Sequence, residues 1–242
     1  MLVKMEHVKK HYKDFALDCS LQVEEGRVTG LIGPNGAGKS TAFKAILDLI
    51  DIDAGAIAVL GKANGRLTQD DREQIGVVLS DSGFSGYLSV RDIIPIMNNL
   101  YRRFDRTAFV NMCKEFNIPL DKKIKEFSTG MKAKLQVISA MCHDARLLIL
   151  DEPTAALDPN AEYEIYMQFS NMITNKCAIL ITHRLSAVQL ADKVAVFDNG
   201  HVAEYGTHQE LYAKGGIYTE MFDKQAKFYR DEPQETNSEA AE

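Results

Sequence analysis

One run of nine residues constrains this chain more than any other: Gly33-Pro34-Asn35-Gly36-Ala37-Gly38-Lys39-Ser40-Thr41. It follows an apolar stretch, residues 28–32, that reads as a short strand. It precedes Ala42, Phe43, Ile46, Leu47 and Ile50, whose spacing is helical. A glycine-rich strand-to-helix turn with Lys and Ser in this register builds an anion cradle. The glycines let the backbone curl so that successive N–H groups point inward, and the helix N-terminus adds partial positive charge. Lys39 can reach the outer phosphates of a nucleoside triphosphate, and the Ser40 hydroxyl can ligate Mg²⁺.

Two further segments carry chemistry. Leu147-Leu148-Ile149-Leu150 reads as a buried strand that delivers Asp151 and Glu152 to the end of a sheet. Beside a phosphate cradle, Asp151 would hold Mg²⁺ directly or through water, and Glu152 could orient and deprotonate an attacking water. Alone, the same pattern describes a strand ending among ordinary surface acids. Phe127-Ser128-Thr129-Gly130-Met131 opens an amphipathic helix. Ser128 reads first as a helix N-cap; an open helix N-terminus with a small residue is also a second anion site.

Composition bounds the remainder. The 242 residues suffice for one large α/β core without disulfide or metal staples. Lys and Arg number 28 against 34 Asp and Glu, a net charge of −6, which argues against nucleic acid as a partner because phosphate neutralisation dominates that affinity. Cys19, Cys113, Cys142 and Cys177 are scattered without metal-site or dithiol spacing and fit a reducing compartment. The first residues lack the apolar segment of a signal peptide. The longest apolar runs are strand-sized, far below the roughly 20 residues that span a bilayer. The expectation is a chain that does not cross a membrane by itself.

The elements fall into an order. Leu17, Cys19, Leu21 and Val23 alternate with polar residues as a half-buried strand does. Residues 57–60 and 75–79 are further strand candidates. Ser89 can cap a helix from residue 90 to about 103, and Asp105 the next, which Pro119 ends. With the helix opened at Ser128, these make a helical insertion over about residues 84–145. The α/β rhythm then resumes: a strand at 147–150, a helix at 161–172, a strand at 177–182, and two strands flanking Asn199-Gly200, a strong hairpin signal. A last helix is expected over about 216–229. The polar, acidic residues 230–242 read as a disordered tail.

In this order the segments resemble the nucleotide-binding subunit of an ATP-binding cassette (ABC) transporter over nearly the whole chain, residues 2–229. Gly33 to Thr41 is similar to Walker A, Leu147 to Glu152 to Walker B with its catalytic Glu, and Phe127 to Met131 to the LSGGQ signature. Ala155-Ala156-Leu157-Asp158 resembles the D-loop, Thr182-His183-Arg184 the switch-histidine segment, and Tyr12 falls at the aromatic that stacks on adenine. The resemblance implies an α/β fold: a P-loop (RecA-like) core with an antiparallel β subdomain and an inserted helical subdomain. It implies ATP and Mg²⁺ as ligands and two cassettes, identical or different, closing head to tail. Each ATP would lie between Lys39, Ser40, Asp151, Glu152 and His183 of one chain and Ser128 and Gly130 of the other, with His183 at the γ-phosphate. The cytoplasmic face of the cell membrane and a separate permease follow as location and partner.

The sequence also departs from that pattern. Residues 75–80 resemble the run that ends in the Q-loop Gln, but the slot holds Ser80, followed by Asp81. Serine is too short to reach both Mg²⁺ and the water directly; it would act through a water, or Asp81 would substitute. Thr129 replaces a signature Gly and Met131 the signature Gln, while Ser128 and Gly130 remain. Residues 1 to about 150 look like a stand-alone subunit serving an ABC-2-type permease. Residues from about 161 onward look like exporter ATPase domains fused to their membrane helices. Both halves lean to export. A soluble cassette ATPase in a non-transport assembly, and an ATP-holding regulator with little turnover, are the alternatives.

Overall fold

A computed structural model describes residues 1–80, 83–153, 165, 167–169, 173, 176–184, 188 and 191–231. Asp81, the D-loop segment with Asp158, Leu185-Ser186, most of the expected 161–172 helix and the tail beyond residue 231 lie outside the described residues.

The fold is built on two sheets. The smaller is antiparallel, in the order β2-β1-β4-β5, from β1 (Val3–His11), β2 (Ala16–Val23), β4 (Ala54–Val59) and β5 (Lys62–Ala63). The larger is ordered β10-β9-β3-β8-β7-β6. In it β3 (Val28–Ile32), β6 (Ile75–Val78), β7 (Leu147–Asp151), β8 (Cys177–Ile181) and β9 (Lys193–Asp198) run parallel, and only β10 (His201–Gly206) is antiparallel. This is the α/β P-loop core with its antiparallel sheet.

The parallel strands are buried on both faces, as strands covered on each side must be. In β7, Leu148 and Leu150 face a cluster built from the helical insertion, together with Ala178 and Leu180 of β8. Leu147 and Ile149 face the opposite way, toward the antiparallel sheet and α1 (Lys39–Ile46), together with Ile179 and Ile181. That is why the sequence here reads as a continuous apolar run rather than an alternation.

The insertion contains α3 (Val90–Leu100), α4 (Arg106–Glu115) and α5 (Thr129–Met141), after the short α2 (Gln69–Arg72). The expected caps are in place. Ser89 forms a reciprocal capping box with Asp92, Asp105 accepts from the Ala108 N–H, and Ser128 accepts from the Met131 N–H. Helix α3 stops at Leu100, three residues short of the expected end, where Tyr101 turns extended. Helix α5 lies close on β6 because Gly76 lacks a side chain: a Cβ there would stand 2.2 Å from the Ala140 carbonyl oxygen. Ile165, Phe169 and Ile173, one helical turn apart, are buried against the same cluster.

After the β9–β10 hairpin come α6 (His208–Lys214) and α7 (Ile217–Asp231). The hairpin turns on Asn199 (φ 45°) and Gly200 (φ 82°), the backbone the Asn-Gly pair predicts. Among the described residues no helix is long and apolar enough to cross a membrane.

Candidate active site

The register of the parallel sheet assembles the site. Leu31 of β3 and Asp151 of β7 both pair with Ile181 of β8, so β7 and β8 end on one rung and β3 ends one residue later, at Ile32. The residues beyond that rung leave the sheet together: Gly33 and its loop from β3, Thr182 and His183 from β8, Glu152 from β7. Ser80 follows β6, whose Val78 pairs with Leu150 one rung earlier. A crevice at the carboxyl ends of parallel strands is where such sheets bind ligands.

That crevice is a cleft of about 660 Å³, lined by Asn35 through Thr41, Ser80, Asp151, Glu152, Ile181, Asp14 and Phe15. The loop has little freedom. Gly33 (φ 142°) passes so close to β9 that a Cβ would stand 2.2 Å from the Phe197 carbonyl oxygen, and Gly36 (φ 79°) and Gly38 (φ 107°) also have left-handed backbones. The hairpin tip clamps the loop from beneath: the Gly200 N–H donates to the Ala37 carbonyl at 3.1 Å, and the Asp18 N–H donates to the Gly200 carbonyl at 2.9 Å. The hairpin was legible in the sequence; its service to the loop was not.

Lys39 is buried, and its ammonium donates to the carbonyls of Gly33 (2.7 Å) and Pro34 (3.0 Å). Burial pushes its pKa down, while the carboxylates of Glu152 and then Asp151 push it back up. A desolvated cation held by loop carbonyls and faced by two acids is a strong electrostatic anchor for phosphate. The Ser40 hydroxyl and the Asp151 carboxylate are hard oxygen donors on the same cleft, as a magnesium ion requires. Among the described residues no group of three or more His, Cys, Asp or Glu side chains is placed to hold a metal. Two protein oxygens suit an ion that keeps waters and substrate phosphates as its other ligands.

Glu152 and His183 form a pair, with Nδ1 of His183 3.0 Å from Oε1 of Glu152. Glu152 has φ 46°, a left-handed backbone that costs a non-glycine residue about 1–2 kcal/mol. Its N–H donates to the Ile181 carbonyl at 2.9 Å, which fixes the turn. Downstream, the Arg184 N–H donates to the Thr182 hydroxyl at 3.0 Å and closes a tight turn around His183.

Other expected residues fall elsewhere. Tyr12 is exposed and outside the cleft lining; its ring centroid is 6.3 Å from that of Phe15, the half-buried aromatic that does line it. Phe15 was missed, although it continues the inward odd-numbered stripe of Leu17, Cys19 and Leu21. Ser128 is exposed and Gly130 half-buried at the start of α5, away from this chain's own cleft. Ser80 is exposed at the cleft's edge.

Residues 17–155, more than half of the chain, match the sequence profile of the ABC transporter family. The chain belongs to that family. Over 234 residues it is 33% identical to the cyclolysin secretion/processing ATP-binding protein CyaB of Bordetella pertussis, an alignment covering 90% of this chain and 33% of that protein. It superposes with a TM-score of 0.79 and 26% identity on a bacterial Atm1-family ABC exporter with ATP bound, covering 93% of this chain and 42% of that one. A solved ATP-binding subunit of an ABC transporter shares the fold over its whole length, with a TM-score of 0.77 at 24% identity. The chain thus spans a quarter to two fifths of the length of the curated relatives it matches. It is an ABC ATP-binding domain homologous to exporter ATPases, in a family of ATPases coupled to transport. The CyaB alignment runs through both halves of the chain, so the exporter likeness is not confined to the residues after 161.

Proposed function

We propose that this chain is the ATP-hydrolysing engine of an export system. Residues 1–229 form one cassette, with residues 84–145 as its helical subdomain, working at the cytoplasmic face of a membrane. Two cassettes, identical or different, close on two ATP molecules and drive a permease carried on a separate chain. The observation that carries the reading is the convergence of Lys39, Ser40, Asp151 and Glu152 on one cleft, with His183 paired to Glu152 from beside it.

In the working cycle, the loop N–H groups of residues 33–41 bind the phosphates, and Lys39 neutralises the outer two. Ser40 and Asp151, with Ser80 at the edge, would hold magnesium, which supplies charge neutralisation at the phosphates when bound. Glu152 takes the proton of the attacking water at its carboxylate. His183 orients that carboxylate and contacts the γ-phosphate. Phe15, which lines the cleft, forms the wall against the base. Ser128 and Gly130 of the second cassette complete the phosphate site. ATP therefore favours the closed dimer and hydrolysis releases it, a two-state motion set by differential affinity.

Export is supported by the relative named for cyclolysin secretion and by the exporter-family structure. The separate permease is supported by the likeness of residues 1 to about 150 to stand-alone subunits. The test is mild affinity purification from the native membrane. A multi-spanning protein should co-purify as a distinct chain; recovery with soluble proteins alone would refute the transport reading, and a permease on the same polypeptide would refute the separate one.

A further inference from the structure

The last helix, α7, reaches into the site just described. The side-chain amide of Gln225 donates through Nε2 to the backbone carbonyl of His183 at 2.6 Å. We propose that Gln225 is a positioning residue for the hydrolysis step, holding the His183 loop so that its imidazole meets Glu152. This rests on the reading of His183 as the partner of Glu152 and the γ-phosphate.

The helix is anchored well enough to transmit position. Tyr218 is fully buried; its N–H donates to Oε2 of the buried Glu204 at 2.9 Å, and its hydroxyl is 2.5 Å from Nδ1 of His208. Thr219 donates to the carbonyls of Leu211 and Tyr212 at the end of α6. Met221 and Phe222 pack on the cluster of Ile32, Val188, Val194, Val196 and Leu211. Gln225 stands seven residues after Tyr218, about two helical turns, and so lies on the same anchored face. Ile32 of that cluster is the residue directly before Gly33. The phosphate loop and the His183 loop thus rest on one packed unit with α7.

The His183 backbone is then fixed on two sides. The Thr182 N–H donates to the Leu31 carbonyl at 3.2 Å, tying the loop to the sheet, and Gln225 takes the carbonyl one residue on. Losing the second tie leaves the phosphate cradle intact and loosens the imidazole. ATP binding is spared and the chemical step slows. A structural prop for α7 alone would not separate the two.

The experiment uses the full chain, purified with whatever membrane partner accompanies it, and measures steady-state ATP hydrolysis for Gln225→Ala, the near-isosteric Gln225→Glu, His183→Ala and the double variant Gln225→Ala/His183→Ala. Both Gln225 variants should lower kcat about two- to tenfold, the range of one net hydrogen bond, with KM for ATP unchanged. Gln225→Ala should add nothing in the His183→Ala background. Unchanged kcat, or an equal loss in that background, overturns the proposal. Wild-type turnover in His183→Ala would instead overturn the role of His183. A histidine-selective NMR spectrum then decides the positioning claim without activity: the His183 ring signal, assigned by its loss in His183→Ala, should move in Gln225→Ala, and an unmoved signal refutes the claim.

Discussion

The backbone at Glu152 permits a test that separates chemistry from strain. Two substitutions remove the carboxylate by different routes. Glu152→Gln keeps the side-chain length and the left-handed φ of 46°. Its amide oxygen can still accept where His183 Nδ1 now meets Oε1 at 3.0 Å. Glu152→Gly deletes the side chain and makes the same φ free of steric cost. Removing a general base costs about 10²–10⁴ in rate, so both variants should lose turnover to that extent, and Glu152→Gln should retain ATP binding. Stability should divide them. At an ordinary position glycine costs about 0.5–1 kcal/mol through backbone entropy. At Glu152 that cost is set against the release of about 1–2 kcal/mol of left-handed strain. The difference predicts that Glu152→Gly is as stable as Glu152→Gln or more so by up to about 1.5 kcal/mol, a rise of up to about 3–6 °C in Tm for a chain of this length. Differential scanning calorimetry without nucleotide measures the difference. A Glu152→Gly variant melting several degrees below Glu152→Gln would refute the strain argument, and normal hydrolysis by either would refute the catalytic assignment.

The remaining predictions follow from geometry already given. Lys39→Ala should weaken ATP binding at least tenfold by calorimetry, because a buried cation facing the phosphates is lost; unchanged affinity would remove Lys39 from that role. Gly33→Ala forces a Cβ to 2.2 Å from the Phe197 carbonyl at φ 142° and should cost about 2–5 kcal/mol in chemical denaturation, with ATP affinity falling alongside; a neutral result would mean the loop is not clamped as described. Phe15→Ala should raise the Kd for ATP about tenfold and Tyr12→Ala less, since base stacking is worth roughly 1–3 kcal/mol and Phe15 lines the cleft; the reverse order restores Tyr12 as the base platform. The Asp71 carboxyl is held down to about 2 by its hydrogen bonds to Lys62 first and then to the Thr68 side chain and N–H. Its folded value lies below its ordinary one, so its stabilisation is complete above about pH 4 and is lost as pH falls toward 2. Asp71→Asn should flatten acid unfolding in that window, and an unaltered acid limb would refute the pairing.

What the sequence made legible has a common cause. The phosphate loop, the Asp151-Glu152 pair, the capped helices and the Asn-Gly hairpin are all written in residues within a few positions of one another, and local backbone preferences enforce them. Strand β1 was not read from the sequence. A bulge at His7 (φ 47°) between Met5 and Val8 breaks the period-two pattern, and β4 answers it with Gly55, whose absent Cβ would lie 2.3 Å from the His7 carbonyl. The end of β8 was placed one residue too far, because Thr182 is a good strand residue that here closes the His183 turn instead. Three contacts had no local signature. They are Gly200 under the phosphate loop, the service of Phe15 to the cleft wall (its inward direction alone was legible) and Gln225 over His183. Each joins residues far apart in the chain, and only the packed sheet order brings them together.

Backbone conformation separates the residues that serve the fold from the one proposed to serve the chemistry. Among the described residues seven non-glycines have φ in the left-handed region: His7, Asp48, Leu60, Asn117, Asp144, Glu152 and Asn199. Six have a local reason. Asp48, Asn117 and Asp144 lie just beyond the ends of α1, α4 and α5, where chains commonly reverse. Leu60 and Asn199 each precede a glycine in a hairpin turn, and His7 makes the β1 bulge. Glu152 ends no helix and makes no hairpin; it follows the last residue of a buried parallel strand and faces the cleft. A glycine there would satisfy the backbone and lose the carboxylate. Local preference and function conflict at this position, and such conflicts gather where a side chain must be held in place for chemistry. The residues that pin the neighbouring turn, with Ile181 accepting from the Glu152 N–H and Gln225 reaching the next loop from α7, are what allow the strained conformation to persist.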